Sequence, residues 1–366
     1  SGICSEAVRV AAFTNPGFTE WLQRWIIDPA SWQAYTVEGY LKGKECKDPA
    51  VSETRAILPL CPLGQLADVI LAARLSTELD RLIPEVAGVY KSARKGTQAA
   101  DIACAIHVSL SKSQDYGVPT AVAQLDAMQH YDRLQLGRIA AWLTQQGVDP
   151  VLISTIVAAQ TLPTIEVAVL GSTLQIPARS AGALTGTRVA GQLGRIPIET
   201  TMNKIHRSLP GAGLELHVPT AVAQAVRPPW ASPTTSWKEK TSITMASYVD
   251  NVFAIGKSPK HALLLGRAFE QEFLDTWGQA IKPTSKEVMI VKGAPSDGIN
   301  RKEWPLKEST RVLGVEIQNN SETDEVWATT RDNALKIYHK IARNADAKAV
   351  SARYKVRELN THILPY

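Results

Sequence analysis

The chain has 366 residues, 45% of them hydrophobic and 20% charged, and 40 Lys and Arg against 35 Asp and Glu give a net charge of +5 and a pI near 8.9. Such a length can bury a large core divided among one to three interleaved lobes, while the lack of a long charge-free apolar run or a basic-then-apolar leader argues against membrane and secretory assignments. The modest basic surplus fits a polyanionic partner without naming one.

Four cysteines, Cys4, Cys46, Cys61 and Cys104, have no paired spacing and no histidine pair beside them. They are expected to be reduced, buried thiols of an intracellular protein, nuclear or cytoplasmic, rather than zinc ligands. In chain order, TEWLQRWIIDPASWQAYTVEGYLKGKECKDP predicts a helix, a strand and a loop. PLGQLADVILAARLSTELDRLIP sets Leu66, Val69, Ile70, Ala73, Leu75 and Leu79 near helical spacing and closes at Pro84, which predicts an amphipathic helix with those six inward. VYKSARKGTQAADIACAIHVSLSKS predicts a basic loop facing an anion or water, then a helix with Ile102, Ile106 and Leu110 inward.

TAVAQLDAMQHYDRLQLGRIAAWLTQQG predicts a short buried strand ending at Asp126 and a helix from about Asp132. TLPTIEVAVLGSTLQIPARSAGALTG has the alternation of paired strands, GQLGRIPIETTMNKIHRSL returns to helix, and LHVPTAVAQAVRPPWASPTTSWKEK reads as an exposed connection. SITMASYVDNVFAIG is two short apolar strands around Asp250 and Asn251, the pattern of a tight hairpin. The remainder predicts a helix (SPKHALLLGRAFEQEFLDTWG), a strand (EVMIVKG), a strand (RVLGVEIQNN) and a basic helix through Lys336, Lys340, Arg343, Lys348, Arg353, Lys355 and Arg357. Such a charged face is a solvated surface or a phosphate-contacting one.

Asp126 and Asp250 both leave short apolar strands. Aspartates there mostly cap the next turn or helix, but two that converge are suited to divalent ions and phosphoryl transfer. Mg²⁺ keeps waters and substrate oxygens in its octahedral shell, so two or three protein carboxylates suffice.

Seven blocks, in order, resemble the reverse transcriptase domain of non-LTR, LINE-type retrotransposons. ETRAILPLCPLGQLADVILAARL is similar to a fingers segment of the form YRPISLLPVLGKLLERILLNRL, with Arg55 at its arginine. KSARKGTQAADIACAI resembles GFRPGRSTLDAI, placing Arg94 and Gly96 on its Arg and Gly, and QLDAMQHYDRL resembles DLKKAFDRV, with Asp126 as its metal ligand. TGTRVAGQLGRIPIE lies where the family has a PQG loop and helix, and retains Gly191 and Gln192 in altered order. SYVDNVFAIG resembles the Tyr-Ala-Asp-Asp hairpin, AIKPTSKEVMIV the lysine-bearing LNPSKTKVM segment, and RVLGVEI the FKYLGV strand pair.

The resemblance implies an α+β right-hand polymerase: N-terminal extension and fingers over residues 1–120, a ferredoxin-like palm over 121–325 with a fingers insertion at about 150–210, and the start of a thumb over 326–366. The family continues beyond that point, and no endonuclease segment or zinc knuckle is found in these residues. It implies an RNA-directed DNA polymerase, a nucleotidyltransferase copying an RNA template from a DNA primer with deoxynucleoside triphosphates and Mg²⁺ or Mn²⁺. Asp126, Ala127, Asp250 and Asn251 would then meet the metals, and Lys286 would protonate leaving pyrophosphate. Arg55, Arg94, Tyr131, Gly191 and Gln192 would meet the nucleotide, Tyr131 at the aromatic position that blocks a ribose 2′-hydroxyl. Structurally, Tyr131 could equally be a core aromatic and the arginines and Lys286 solvated surface groups.

Three positions depart from the family: Asn251 replaces the second hairpin aspartate, His130 replaces a small residue beside the nucleotide site, and the PQG loop is degraded. Two alternatives stay open. An RNA-dependent RNA polymerase also uses two such carboxylates and often a further aspartate where Asp132 stands, though Tyr131 and the fingers blocks argue against it. A decayed polymerase domain would be a non-catalytic nucleic-acid-binding scaffold.

Overall fold

The computed structural model describes residues 5–42, 55–91, 99–169, 172–217, 240–296, 298–312 and 315–319. The chain opens with helices α1 (Ser5–Thr14), α2 (Phe18–Ile27) and α3 (Pro29–Gln33), then strands β1 (Thr36–Lys42) and β2 (Arg55–Ile57). The long helix α4 (Pro62–Leu82), strand β3 (Val89–Lys91) and helix α5 (Ala99–Asp115) lead into β4 (Ala121–Asp126). Helices α6 (Leu136–Gln145) and α7 (Pro150–Thr161) precede β5 (Thr164–Val169), β6 (Ser172–Ile176) and the long helix α8 (Arg188–Ser208). After β7 (Leu214–His217) come β8 (Lys240–Ile243), β9 (Met245–Tyr248), β10 (Asn251–Gly256) and helix α9 (Pro259–Trp277). Strands β11 (Glu287–Ile290), β12 (Leu306–Lys307), β13 (Ser309–Val312) and β14 (Val315–Gln318) complete the described chain.

Helix starts are written locally. Asp28, Asp149 and Ser258 each accept a backbone N–H ahead of a proline in the first turn of α3, α7 and α9, and Thr187 caps α8 through Ala190 N–H. A side-chain oxygen there satisfies an orphan donor, and proline has none to lose. Among the described residues no helix is long and apolar enough to cross a membrane.

The molecule is mixed α/β. A six-stranded sheet runs β12-β11-β4-β10-β9-β3, mostly antiparallel, and a separate four-stranded sheet runs β2-β1-β5-β6. Alternation along β4 and β10 gives the six-stranded sheet two buried faces. Ala121, Ala123, Leu125, Val252 and Ala254 pack with α4, α8 and α9, while Val122, Phe253 and Ile255 pack with α5 and the β13–β14 hairpin. Ile102, Ile106 and Leu110 are all inward on α5, as their spacing predicts.

Helix α4 buries Leu75 and Leu79 as its aliphatic spacing predicts and packs Leu66 and Ile70 half-buried against the core, but its buried stripe is shifted onto Leu63, Gly64, Ala67, Asp68, Leu71 and Ala72, and Val69 and Ala73 are exposed. The reason is Asp68. Its carboxylate accepts the N–H groups of Arg188 (2.8 Å) and Val189 (3.0 Å), so it caps the positive end of α8 and fixes the rotation of α4. Other differences are local. The helix after Asp126 starts at Leu136 rather than near Asp132, behind a turn in which Gln129 has φ +50°. RVLGVEIQNN is not one strand but the β13–β14 pair, with Val312 opposite Val315. Cys61 is half-buried and Cys104 exposed, so neither is the buried thiol expected; Cys4 and Cys46 lie outside the described residues. Also outside them are Arg94, Gly96, most of the proline-rich connection and the basic terminal helix.

Candidate active site

Strand β4, Ala-Val-Ala-Gln-Leu-Asp, is apolar enough to sit in mid-sheet and ends in its carboxylate. It pairs with β10 so that Asp126 faces Asn251 and Leu125 faces Val252, and β10 pairs with β9 so that Asn251 faces Tyr248. Asp126, Asn251 and Tyr248 therefore stand abreast on one face, directly paired residues having Cβ atoms roughly 4.5–5.5 Å apart. Asp126, Asp250 and Asn251 are each half-buried.

Only Val249 and Asp250 separate β9 from β10. Val249 has φ +56°, a conformation that two-residue hairpins usually assign to Gly or Asn. For a β-branched side chain it is an outlier that costs on the order of 1–2 kcal/mol. The turn is held from outside: the Asp250 carbonyl accepts the Ala127 N–H at 3.0 Å. On its other flank the end of β4 is tied to the chain before β11, with Asp126 N–H donating to Ser285 Oγ (3.0 Å) and Asp126 C=O accepting Lys282 N–H (2.9 Å). Two carboxylate-bearing ends from distant sequence are thus fixed side by side by backbone bonds.

Beside them, Tyr131 packs against α8. A Cβ on Gly194 would lie 2.9 Å from Tyr131 Cε1 and 3.0 Å from His130 Nε2, so glycine there lets both rings approach the helix. Tyr131, Gly191, Gly194, Arg195, Ile198, Glu199, Ser247 and Val249 line one recess next to the hairpin. Burial, and then the charge of Asp250, push the Tyr131 hydroxyl up to about 12. Burial holds the His130 imidazole below its usual range, against its hydrogen bonds and Asp250. His130, expected beside the nucleotide site, is 2% exposed and packs edge-on against Tyr131.

The other candidates are distributed differently. Gly191 and Gln192 lie in the first turns of α8, and the Gln192 side-chain oxygen accepts from Arg195 Nη1 at 2.6 Å. Arg55 opens β2 in the four-stranded sheet, not in the sheet carrying the carboxylates. Lys286 Nζ lies 2.6 Å from the Glu270 carboxylate of α9 and 5.8 Å from the Trp304 ring centre, with its side chain 12% exposed. Glu287 pairs with Gln124 and so shares the Asp126 face; by alternation Lys286 points to the α9 side. The lysine beside the carboxylate end is instead Lys282, exposed and one residue beyond the Ala127–Ile281 bridge, which the sequence reading passed over. Equally unmarked was Arg195, although its i,i+4 spacing to Glu199 was visible.

Among the described residues no group of three or more His, Cys, Asp or Glu side chains is placed to hold a metal ion. The local donor set is two carboxylates, Asp126 and Asp250, and the Asn251 amide oxygen. No protein-family model matches the chain, and no curated protein matches it in sequence. A solved structure, apo telomerase from Candida tropicalis truncated from its C-terminal domain, is similar at a TM-score of 0.48 and 12% identity, over 83% of this chain and 59% of that one. The chain thus spans less than two thirds of the length of the structure it matches.

Proposed function

We propose that the chain is the polymerase core of an RNA-directed DNA polymerase of the LINE type, joining deoxynucleotides to a DNA primer on an RNA template. The observation that carries this reading is the β4–β10 register, which sets Asp126 opposite Asn251 with Asp250 at the adjoining turn. Mg²⁺ is commonly held by one or two carboxylates plus waters and substrate phosphates rather than by an all-protein cage, so a pair of aspartates fits it. Asp126 and Asp250 would hold the ions, with Ala127 and the neutral Asn251 amide beside them. Bound Mg²⁺ or Mn²⁺ supplies the charge that activates the primer hydroxyl and steadies the leaving pyrophosphate. Tyr131 would occupy the volume a ribose 2′-hydroxyl needs; Gly191 borders the same recess, and Gln192 follows it in α8. Arg55 and Arg94 would grip phosphate oxygens, and Lys282 takes the proton-donor role in place of Lys286, whose ammonium is held by Glu270.

A second reading, a non-catalytic nucleic-acid scaffold, is favoured by Asn251 and by that occupied Lys286. Primer extension on RNA and DNA templates, with deoxy- and ribonucleotides and with Mg²⁺ or Mn²⁺, separates the readings. Wild type should extend on RNA with deoxynucleotides, and the isosteric Asp126→Asn and Asp250→Asn variants should lose extension while retaining duplex binding. Binding without extension under either metal would favour the scaffold, and extension confined to ribonucleotides an RNA polymerase.

A further inference from the structure

We propose that His130 is a positioning residue for sugar choice: by tying the turn after β4 to α8 and to the end of α9, it sets the position of the Tyr131 ring. The proposal rests on the nucleotide-site reading above and adds to it a residue that does not touch substrate.

The ties are specific. His130 Nε2 lies 3.0 Å from the Gly194 carbonyl of α8, and Nδ1 lies 3.2 Å from the side-chain oxygen of Gln279, just past α9. Gln279 donates its own amide N–H to the Arg133 carbonyl at 2.7 Å, which orients its oxygen toward the imidazole. A neutral ring donates to one of these acceptors, according to its tautomer, and an imidazolium to both. The ring stacks on Phe273 of α9 (centroids 6.1 Å apart, planes at 27°) and meets Tyr131 edge-on (5.2 Å, 60°).

Tyr131 is thus backed by a ring fixed from two helices. Its backbone is anchored too, the carbonyl accepting the Ala183 N–H at 2.8 Å. On its front lies the recess bounded by Gly191, Ser247 and Val249. The missing Cβ of Gly194 admits both rings. A small side chain at 130 would leave a void behind Tyr131, and the phenol would move back into it. An aromatic sugar gate discriminates by occupied volume, so displacement by a fraction of an ångström admits the 2′-hydroxyl.

The test uses the full chain with His130→Ala, His130→Gln, Tyr131→Ala and the His130→Ala/Tyr131→Ala double variant. The readout is the ratio of kcat/KM for a deoxynucleotide to that for its ribonucleotide. His130→Ala should lower the ratio by about tenfold or more, and His130→Gln, which can still donate toward Gly194, should restore most of it. The double variant should discriminate no worse than Tyr131→Ala alone, because His130 acts through the tyrosine. An unchanged ratio in His130→Ala, or additive losses in the double variant, overturns the proposal. A second readout needs no catalysis: difference titration of absorbance against Tyr131→Phe follows the Tyr131 hydroxyl, which should shift from its wild-type value when the ring changes place in His130→Ala. If wild type incorporates neither sugar, the polymerase reading fails and the titration decides alone, an unshifted hydroxyl refuting the positioning role. Should His130→Ala not fold, Gln279→Leu replaces it in both measurements with the same expected directions and the same refuting results.

Discussion

Arg195→Met should be among the most destabilising single changes in this chain. The Arg195 side chain is 2% exposed, and its donors reach Glu199 at 2.9 Å, Gln192 at 2.6 Å and Asp80 of α4 at 3.1 Å. Glu199 is equally buried at 2%, whereas Asp80 is 54% exposed. Removing the guanidinium takes a buried ion-pair partner from Glu199, and breaking a buried pair in this way costs about 3–5 kcal/mol. That is on the order of a third or more of a typical folding free energy. Asp80→Asn, cutting only the solvent-screened arm, should cost at most about 1 kcal/mol. Replacing both buried partners, as in Arg195→Met/Glu199→Met, should recover most of the loss, because two apolar side chains of similar size need no desolvated charges. Urea unfolding followed by the fluorescence of the nine tryptophans measures all four proteins. A loss below about 1 kcal/mol in Arg195→Met, or a double variant less stable than that single one, would refute this electrostatic account.

Val249→Gly should leave global stability within about 1 kcal/mol of wild type, since relief of the +56° φ is offset by glycine's unfolded-state entropy, yet slow extension by loosening Asp250; a stability loss above about 2 kcal/mol would show that Val249 is not strained. Asn251→Asp should lower the Mg²⁺ concentration for half-maximal extension and narrow any preference for Mn²⁺, because it adds charge beside Asp250; an unchanged metal titration would mean that residue 251 faces away from the ions. Lys286→Ala should act mainly on stability by freeing Glu270, and Lys282→Ala mainly on kcat, with the reverse pattern restoring Lys286 to the reaction. Burial lowers the pKa of His130, so its folded form holds the proton more weakly than the unfolded chain does. Its contribution is therefore present above the unfolded value of about 6.5 and lost as pH falls below it. Unfolding of wild type and His130→Gln from pH 7.5 to 5 should show a steeper decline in wild type, and parallel curves would count against it.

Wherever a side chain's environment is set by its own strand or helix, the sequence was readable. The inward face of α5 follows from three aliphatics at helical spacing, and the β9–β10 hairpin follows from two apolar runs around a two-residue turn. What escaped depends on distant partners. The face of α4 is chosen by a buried aspartate whose carboxylate accepts N–H groups at the start of α8, a contact no periodicity reports. Lys286 was assigned to the reaction from its block, but its side is decided by strand parity, which the pairing of Glu287 with Gln124 fixes. That Arg55 stands on a strand of the other sheet was likewise hidden, because sequence order does not carry sheet membership. For the aspartates the sequence supplied strand ends and the β4–β10 register supplies their adjacency.

The pairing of β4 with β10 also bears on how the molecule is made. Residues 121–126 and 251–256 meet in the middle of the sheet, so the chain between them must be gathered in before that ladder can close. Contacts so remote in sequence carry a large loop-closure entropy and form slowly. Until they form, β4 presents an unpaired row of N–H and C=O groups along the side that β10 will occupy, an edge prone to pairing with another chain. A nascent polypeptide that has not yet emerged past Gly256 would hold Asp126 on such an edge, and would need that edge shielded until the rest of the sheet arrives.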